Sequence, residues 1–203
     1  MERKIVFATG NNGKLREIRE IMKDFNIPII SMKEAGVEVE VEENGKTFME
    51  NSFLKASAIS EKCKEQGIEA IVLADDSGLV VDALGGEPGI YSARYLGEDT
   101  PYSIKNGNII ERLKDVPDSE RSARFVCAIA CVMPDGSKYE AEATYEGAIG
   151  HEEKGKNGFG YDPIFYLPDR GVYSAELDTD EKNRISHRGK ALVMMKDILS
   201  EVL

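Results

Sequence analysis

The sequence predicts an α/β fold built on a long mixed sheet flanked by helices, and three observations carry that expectation. Short apolar runs of strand character alternate with segments whose apolar residues recur at helical spacing. The first run, Lys4-Ile5-Val6-Phe7-Ala8, passes through Thr9-Gly10-Asn11-Asn12-Gly13 straight into Leu15, Ile18, Met22 and Phe25, which reads as strand, tight loop, helix. The turn dipeptide Asp135-Gly136 separates two strand-like runs, Arg124–Met133 and Lys138–Tyr145, so a β-hairpin makes the sheet mixed and not wholly parallel. With 203 residues, 41% of them hydrophobic, the chain can bury a full core and suits one domain over residues 1–203. No internal repeat or linker interrupts it.

The remaining elements follow in chain order. Residues 37–41 alternate apolar and acidic, which predicts a short edge strand before the acidic turn Glu42-Glu43-Asn44-Gly45. Thr47 with Glu50 reads as a capping box opening a helix whose stripe is Phe53, Ala56, Ile59 and Cys63, with Gly67 placed as a C-terminal glycine. Ala70 to Ala74 is a buried strand that should stop at Asp75-Asp76-Ser77-Gly78, leaving carboxylates at a strand's C-terminal end, where α/β sheets place their chemistry. Residues 85–99, rich in Gly and Pro, read as a surface loop. Thr100-Pro101 opens a helix through Leu113 with proline at its first position. Phe159 to Leu167 reads as a further strand, and Ser186 caps a final amphipathic helix, Arg188 to Val202.

Charge and cysteine usage exclude several classes. A formal net charge of −11 argues against a nucleic-acid surface, because backbone binding needs a basic stripe. An anionic substrate would need local help from a divalent metal held by some of the 37 acidic residues, together with placed cations and helix N-termini. The opening apolar run is too short for a signal-peptide core and no run approaches the ~20 residues of a membrane span, so a soluble, cytoplasmic protein is expected. Three cysteines without C-x-x-C give neither a disulfide framework nor a zinc site. Cys127 and Cys131 share one strand about 13 Å apart, and all three read as core.

Four places could carry chemistry, and each has a plainer reading beside it. Thr9-Gly10-Asn11-Asn12-Gly13-Lys14 lies between strand and helix, where backbone N–H groups and the helix dipole attract phosphate and Lys14 adds charge; the same residues suit an ordinary βα turn. Asp75 and Asp76 are adjacent, so their side chains point to opposite faces, and one of them with Glu42 or Glu43 could hold Mg²⁺; a solvated turn is the alternative. His187 and Arg188 could aim hydrogen-bond donors from the start of the last helix, or form a charged surface pair. Phe159-Gly160-Tyr161-Asp162 offers an aromatic face beside a carboxylate, though aromatic pairs in strands are often core. With only His151 and His187, a metal site dominated by imidazole is not expected.

Taken together, the order and wording of six blocks resemble the inosine triphosphate pyrophosphatase (non-canonical purine NTP pyrophosphatase) family over nearly the whole chain. The blocks are Thr9-Gly10-Asn11 with Lys14; Thr47-Phe48-Met49-Glu50-Asn51 followed by Leu54-Lys55-Ala56; Asp75-Asp76-Ser77-Gly78-Leu79; residues 84–95 from Leu84-Gly85-Gly86 to Arg94-Tyr95; residues 158–165 around Phe159-Gly160-Tyr161-Asp162; and Ser186-His187-Arg188-Gly189. The resemblance implies a bilobed α/β fold with the active-site cleft between lobes, a homodimer, and Mg²⁺ as cofactor. It implies that purine nucleoside triphosphates such as ITP, dITP and XTP are cut to monophosphate and pyrophosphate. By the same resemblance Thr9, Asn11 and Lys14, within the block that includes Gly10, Asn12 and Gly13, hold the triphosphate. Lys55 and Ser77 touch substrate, Asp76 is the metal-linked catalytic carboxylate, and Glu42 or Glu43 serves the metal. Phe159, Gly160, Tyr161, Asp162, Lys182, His187 and Arg188 form the nucleoside end. Two rivals remain: a house-cleaning pyrophosphatase for pyrimidine or modified nucleotides, and a non-catalytic nucleotide sensor.

Overall fold

The computed structural model describes residues 4–203. Among these the strands are β1 (Ile5–Phe7), β2 (Ile29–Ser31), β3 (Ile71–Val81), β4 (Ser122–Val132), β5 (Lys138–Ile149), β6 (Phe165–Leu167) and β7 (Val172–Tyr173). They form one sheet in the order β2-β1-β3-β4-β5-β6-β7. β1 is parallel to β2 and β3, whereas β6 is antiparallel to β5 and β7, so the sheet is mixed. The α-helices are α1 (Asn12–Ile21), α2 (Met32–Ala35), α3 (Phe48–Glu65), α4 (Tyr102–Arg112), α5 (Thr179–Ile185) and α6 (His187–Val202). No helix among the described residues is long and apolar enough to cross a membrane.

The chain divides into two compact units, Met1–Asp76 with Cys127–Ala143 and Arg188–Leu203, and Ser77–Val126 with Thr144–His187. In the first unit the two-residue alternation of strands sorts the core into layers. Ile5, Phe7, Ile71, Leu73, Cys127, Ile129 and Cys131 pack with Ile18 and Met22 of α1 and with Ala191, Leu192, Met195 and Leu199 of α6. Val6, Ala8, Val72, Ala74, Ala130 and Val132 instead meet Ala56, Ile59 and Cys63 of α3. The three cysteines are free and buried, as their apolar neighbours in sequence suggest. The hairpin closes where expected, with the Met133 N–H donating to the Ser137 carbonyl at 2.8 Å and Gly136 in the left-handed region at φ +93°.

The second unit has its own core, in which Leu79, Val81, Ile109, Leu113, Phe125, Tyr145, Ile164, Phe165 and Leu177 come together. Arg121, 1% exposed, is built into it. Its guanidinium donates to the carbonyls of Ile149 (2.8 Å), Leu113 (2.5 Å) and Gly150 (2.8 Å), satisfying a helix end and a strand end with one side chain.

Several sequence expectations are corrected. β3 does not stop at Asp75 but runs through Asp75-Asp76-Ser77-Gly78 to Val81, so both carboxylates sit in mid-strand. Asp75 is 1% and Asp76 7% exposed, which rules out a solvated turn. Residues 159–161 are not strand: Gly158 and Gly160 take φ of +75° and +70°, which break an extended path, and β6 begins only at Phe165. Residues 37–41 form no strand, although Val37 is buried and Val39 packs on the same core; alternation here produces burial without a ladder. β2 and α2, which the sequence reading passed over, occupy the preceding segment. Pro101 is the N-cap of α4 and not its first residue. Residues 85–99 contain a 3₁₀ turn, Gly89–Arg94, pinned by the buried Ser92, whose hydroxyl accepts the Leu79 N–H at 2.9 Å. At α3 the Thr47 side chain caps the Glu50 N–H, while the Glu50 carboxylate reaches the Lys46 N–H (2.6 Å).

Arg121→Met should leave three carbonyls buried without their donor, lowering stability by roughly 3 kcal/mol or more, read as a fall in the urea midpoint. Arg121→Lys should recover little of it, since an ammonium cannot reproduce the three-way fork.

Candidate active site

Asp75 and Asp76 follow Ile71–Ala74 along β3 and inherit its alternation, so each faces a different layer of the first unit. Asp75 continues the row facing α1 and α6. Its Oδ1 is 3.0 Å from the Lys14 ammonium and its Oδ2 3.2 Å from Arg188 Nε. Arg188 is also ion-paired with Glu17 through Nη1. Asp76 continues the row facing α3, where Asn51 Nδ2 donates to its Oδ2 at 3.1 Å and the Lys55 ammonium lies 3.7 Å from its Oδ1.

The two neighbours are pushed in opposite directions. Burial would raise both carboxyls. At Asp75 the charges of Lys14, Arg188 and Lys55 outweigh burial and hold the group well below the usual carboxylate range. At Asp76 burial prevails over Lys55, Lys14 and the Asn51 hydrogen bond, and the nearby Glu43 charge raises it further. Two neighbouring carboxyls driven apart in this way are a pattern found at sites of acid–base and metal chemistry. Arg188 is held charged: burial lowers its pKa, but Asp75 and Glu17 more than offset that. The Cys127 thiol, 4.0 Å from Asp75 Oδ2, is pushed up to about 12 by burial and by that carboxylate, so it is inert as a nucleophile.

Asn51 also fixes the acidic loop beside Asp76. Its Oδ1 accepts the Gly45 N–H at 2.9 Å, an approach only glycine permits, because a Cβ at residue 45 would lie 2.7 Å from that oxygen. The loop thereby brings Glu43 to 3.5 Å from the Lys55 ammonium, whose Nζ donates to the Asp75 carbonyl at 2.7 Å. Glu42 is exposed, so of the two glutamates Glu43 is the one placed with Asp76. Two carboxylates thus face a single cationic group; among the described residues no set of three His, Cys, Asp or Glu converges as metal ligands. Asn51 and Glu17 carried no assigned role in the sequence reading, yet each sits at helical spacing from a residue that did, Asn51 four before Lys55 and Glu17 three after Lys14.

The loop ahead of α1 is ordered by its own side chains. Thr9 Oγ1 accepts the Asn11 N–H (3.0 Å), and Asn11 Oδ1, as N-cap, accepts those of Gly13 (2.8 Å) and Lys14 (3.2 Å). Within this loop Gly10 and Asn12 are exposed and Lys14 is half-buried.

In the second unit the segment 158–162 is a turn organised by Asp162, 3% exposed. Its Oδ1 accepts from Ser174 (2.8 Å), and its Oδ2 from the Phe159 N–H (2.8 Å) and the Lys182 ammonium (2.6 Å). A Cβ at residue 158 would fall 2.2 Å from that Oδ2, so Gly158 is required by close approach as well as by φ. Asp162 is an internal anchor and not an outward acceptor. Tyr161 is likewise interior, 3% exposed, donating to the Ser92 carbonyl at 2.7 Å and meeting Tyr102 edge-on. Phe159 keeps a partly exposed ring, 5.3 Å from the Lys182 ammonium. His187, 6% exposed, stacks on Phe125 with centroids 4.9 Å apart and planes 12° from parallel. Ser77 is half-buried in β3. Arg188 falls in the first unit, where it is paired with Asp75 and Glu17.

The chain is similar to known proteins over nearly its whole length. The chain is 50% identical over 202 residues to a dITP/XTP pyrophosphatase of Clostridium perfringens, covering 99% of both chains. It is 47% identical over 198 residues to a dITP/XTP pyrophosphatase of Escherichia coli O157:H7, covering 97% of this chain and 98% of that one. Among solved structures, a HAM1 protein from Coxiella burnetii matches with a TM-score of 0.86 at 41% identity, covering 99% of this chain and 100% of that one. The Staphylococcus aureus Ham1 protein matches with a TM-score of 0.85 at 38% identity, covering 98% and 100%. The sequence profile of the Ham1 family matches residues 5–198, and the chain belongs to that family.

Proposed function

We propose that this protein hydrolyses non-canonical purine nucleoside triphosphates, dITP, ITP and XTP, to the monophosphate and pyrophosphate. The observation that carries the chemistry is the pair of buried mid-strand carboxylates pushed in opposite directions, with Lys14 and Lys55 beside them. The substrate class rests on the relatives named dITP/XTP pyrophosphatase. Asp76 is the catalytic carboxylate, accepting the proton of the attacking water, and with Glu43 it would hold a metal ion. Lys14, with the Gly10 and Asn12 amides at the positive end of α1, takes the triphosphate, and Thr9, Asn11 and Gly13 keep that loop in shape. Lys55 adds charge to the same end of the substrate, and Ser77, next to Asp76 in β3, is a further substrate contact.

Mg²⁺ suits the donor set. Asp76 and Glu43 offer hard carboxylate oxygens to one cationic position, too few for a closed protein cage and suited to an ion that keeps waters and substrate phosphates. When bound, it would supply charge neutralisation for the phosphates. What the chain itself does is align substrate and hold a carboxylate ready in a water-poor setting, the main work in phosphoryl chemistry.

The base end of this reading lies in the second unit. Phe159 presents its ring for stacking and Lys182 braces the turn through Asp162. His187, oriented by Phe125, supplies a donor to the 6-oxo oxygen of hypoxanthine or xanthine; the 6-amino group of adenine would leave that donor unmet, a mismatch able to discriminate by about 10⁴-fold. Arg188 stays in the proposed substrate set through its ion pairs at the phosphate end. A homodimer and a cytoplasmic location complete the proposal. The exposed Tyr91, Leu96 and Ile104 fit a self-association surface, to be checked by sedimentation, where a monomer at micromolar concentration would remove the dimer from the reading.

With magnesium, pyrophosphate should be released from ITP and XTP and not from ATP or TTP, and chelator should abolish release. Orthophosphate or pyrimidine turnover would favour the pyrimidine rival, and tight binding without turnover would favour a sensor. Asp76→Asn should fold normally and lose roughly 10³-fold or more in kcat; near-normal turnover would remove it from the chemistry. Gly158→Ala should disrupt the Asp162 anchor and raise KM for ITP by about tenfold or more while pyrophosphate inhibition is unchanged. An unchanged KM would detach that turn from the base.

A further inference from the structure

Four side chains in the first unit form a chain of alternating charge, Lys14 on α1 to Asp75 on β3 to Arg188 at the start of α6 to Glu17 on α1. The chain is neutral, and three of its members are nearly sealed, with side-chain exposures of 1% for Asp75, 4% for Arg188 and 11% for Glu17. Lys14 is the most open at 16%, and it ends the chain on a flexible stem. Arg188 lies between two carboxylates, Asp75 on one side and Glu17 on the other, so its planar guanidinium is fixed. Both carboxylate oxygens of Asp75 face cations, which leaves it no role as a water-activating group.

We propose that Asp75 is a positioning residue that stores the Lys14 ammonium next to the phosphate loop, and that Arg188, braced by Glu17, keeps Asp75 compensated when Lys14 turns to the incoming phosphates. This rests on the reading of Lys14 as a phosphate ligand. A buried carboxylate with Lys14 as its only counter-charge would retain that lysine, because its departure would leave an uncompensated charge. A second, immobile cation on the other oxygen removes that obstacle. Held 3.0 Å from Asp75, the ammonium is also kept from wandering among the rotamers open to a surface lysine.

The test is a double-mutant cycle with Asp75→Asn and Lys14→Met, read as kcat/KM for ITP and as inhibition by inorganic pyrophosphate, with thermal unfolding as a check on folding. Asp75→Asn should lower kcat/KM and weaken pyrophosphate inhibition about tenfold in the native background, yet change either by less than about twofold when Lys14 is already methionine. Equal losses in both backgrounds, or a loss in kcat with pyrophosphate inhibition unchanged, would show that Asp75 acts structurally and overturn the inference. A Lys14→Met protein with native kcat/KM would instead overturn the phosphate reading of Lys14 from which the inference starts. Asp75→Glu keeps the charge and moves it by one methylene; it should show the same dependence on Lys14, and it decides the question if Asp75→Asn fails to fold.

Discussion

Burying ionised groups in the middle of a strand is the constraint around which the first unit is arranged. A carboxylate taken from water without partners would be strongly destabilising, and β3 carries two in succession. Because consecutive strand residues face opposite ways, their nearest partners come from different layers, although the charges of Lys14 and Lys55 act on both. In the layers packed on the sheet, α1 and α6 bring Lys14 and Arg188 to Asp75, and α3 brings Lys55 and Asn51 to Asp76. The helices that cover the sheet with Ile18, Leu192 and Ile59 are therefore the same ones that make its charges tolerable. Packing and site chemistry are one arrangement here, since moving a helix to improve the core would strip a carboxylate of its cation.

The second unit solves a related problem with one carboxylate. Asp162 is buried in a turn whose backbone could not form without it, because the Phe159 N–H, the Ser174 hydroxyl and the Lys182 ammonium all depend on its two oxygens. Glycine at 158 is what lets the carboxylate come so close. The product is a partly exposed phenylalanine ring on a rigid support. A base-stacking surface needs that combination, because a loose aromatic side chain would lose in ordering what it gains in contact.

Legibility in the sequence followed how local each determinant is. The Asp135-Gly136 hairpin, the Thr47 cap and the stripes of α1, α3 and α6 depend on residues a few positions apart and were read correctly. The extent of β3 was not, because a strand is recognised by its apolar run, and Asp75 and Asp76 interrupt the run while their compensating cations come from distant helices. Phe159 to Leu167 failed in the opposite sense: an aromatic, β-favouring stretch was read as strand, but left-handed glycines and a buried aspartate fold its first part into a turn. Asn51, which joins Asp76 to the loop carrying Glu43, could have been found from its position one helical turn before Lys55. The pairing of Arg188 with Asp75 could not, since 113 residues separate them and no local pattern encodes it. The resemblance to the pyrophosphatase family named both residues without indicating that they meet.

The unequal compensation of the two aspartates also argues for which of them does chemistry. A carboxylate with a cation on each oxygen has little to gain from a metal or a proton, because its charge is already offset. Asp75 is in that condition. Asp76 keeps a raised pKa despite Lys55 and Asn51, and Glu43 adds a second negative charge nearby, so a cation or a proton at that position is favoured. In the proposed reaction the catalytic member of the pair is therefore Asp76, the one whose carboxyl burial holds high, while Asp75 beside it in the same strand is held by Lys14 and Arg188.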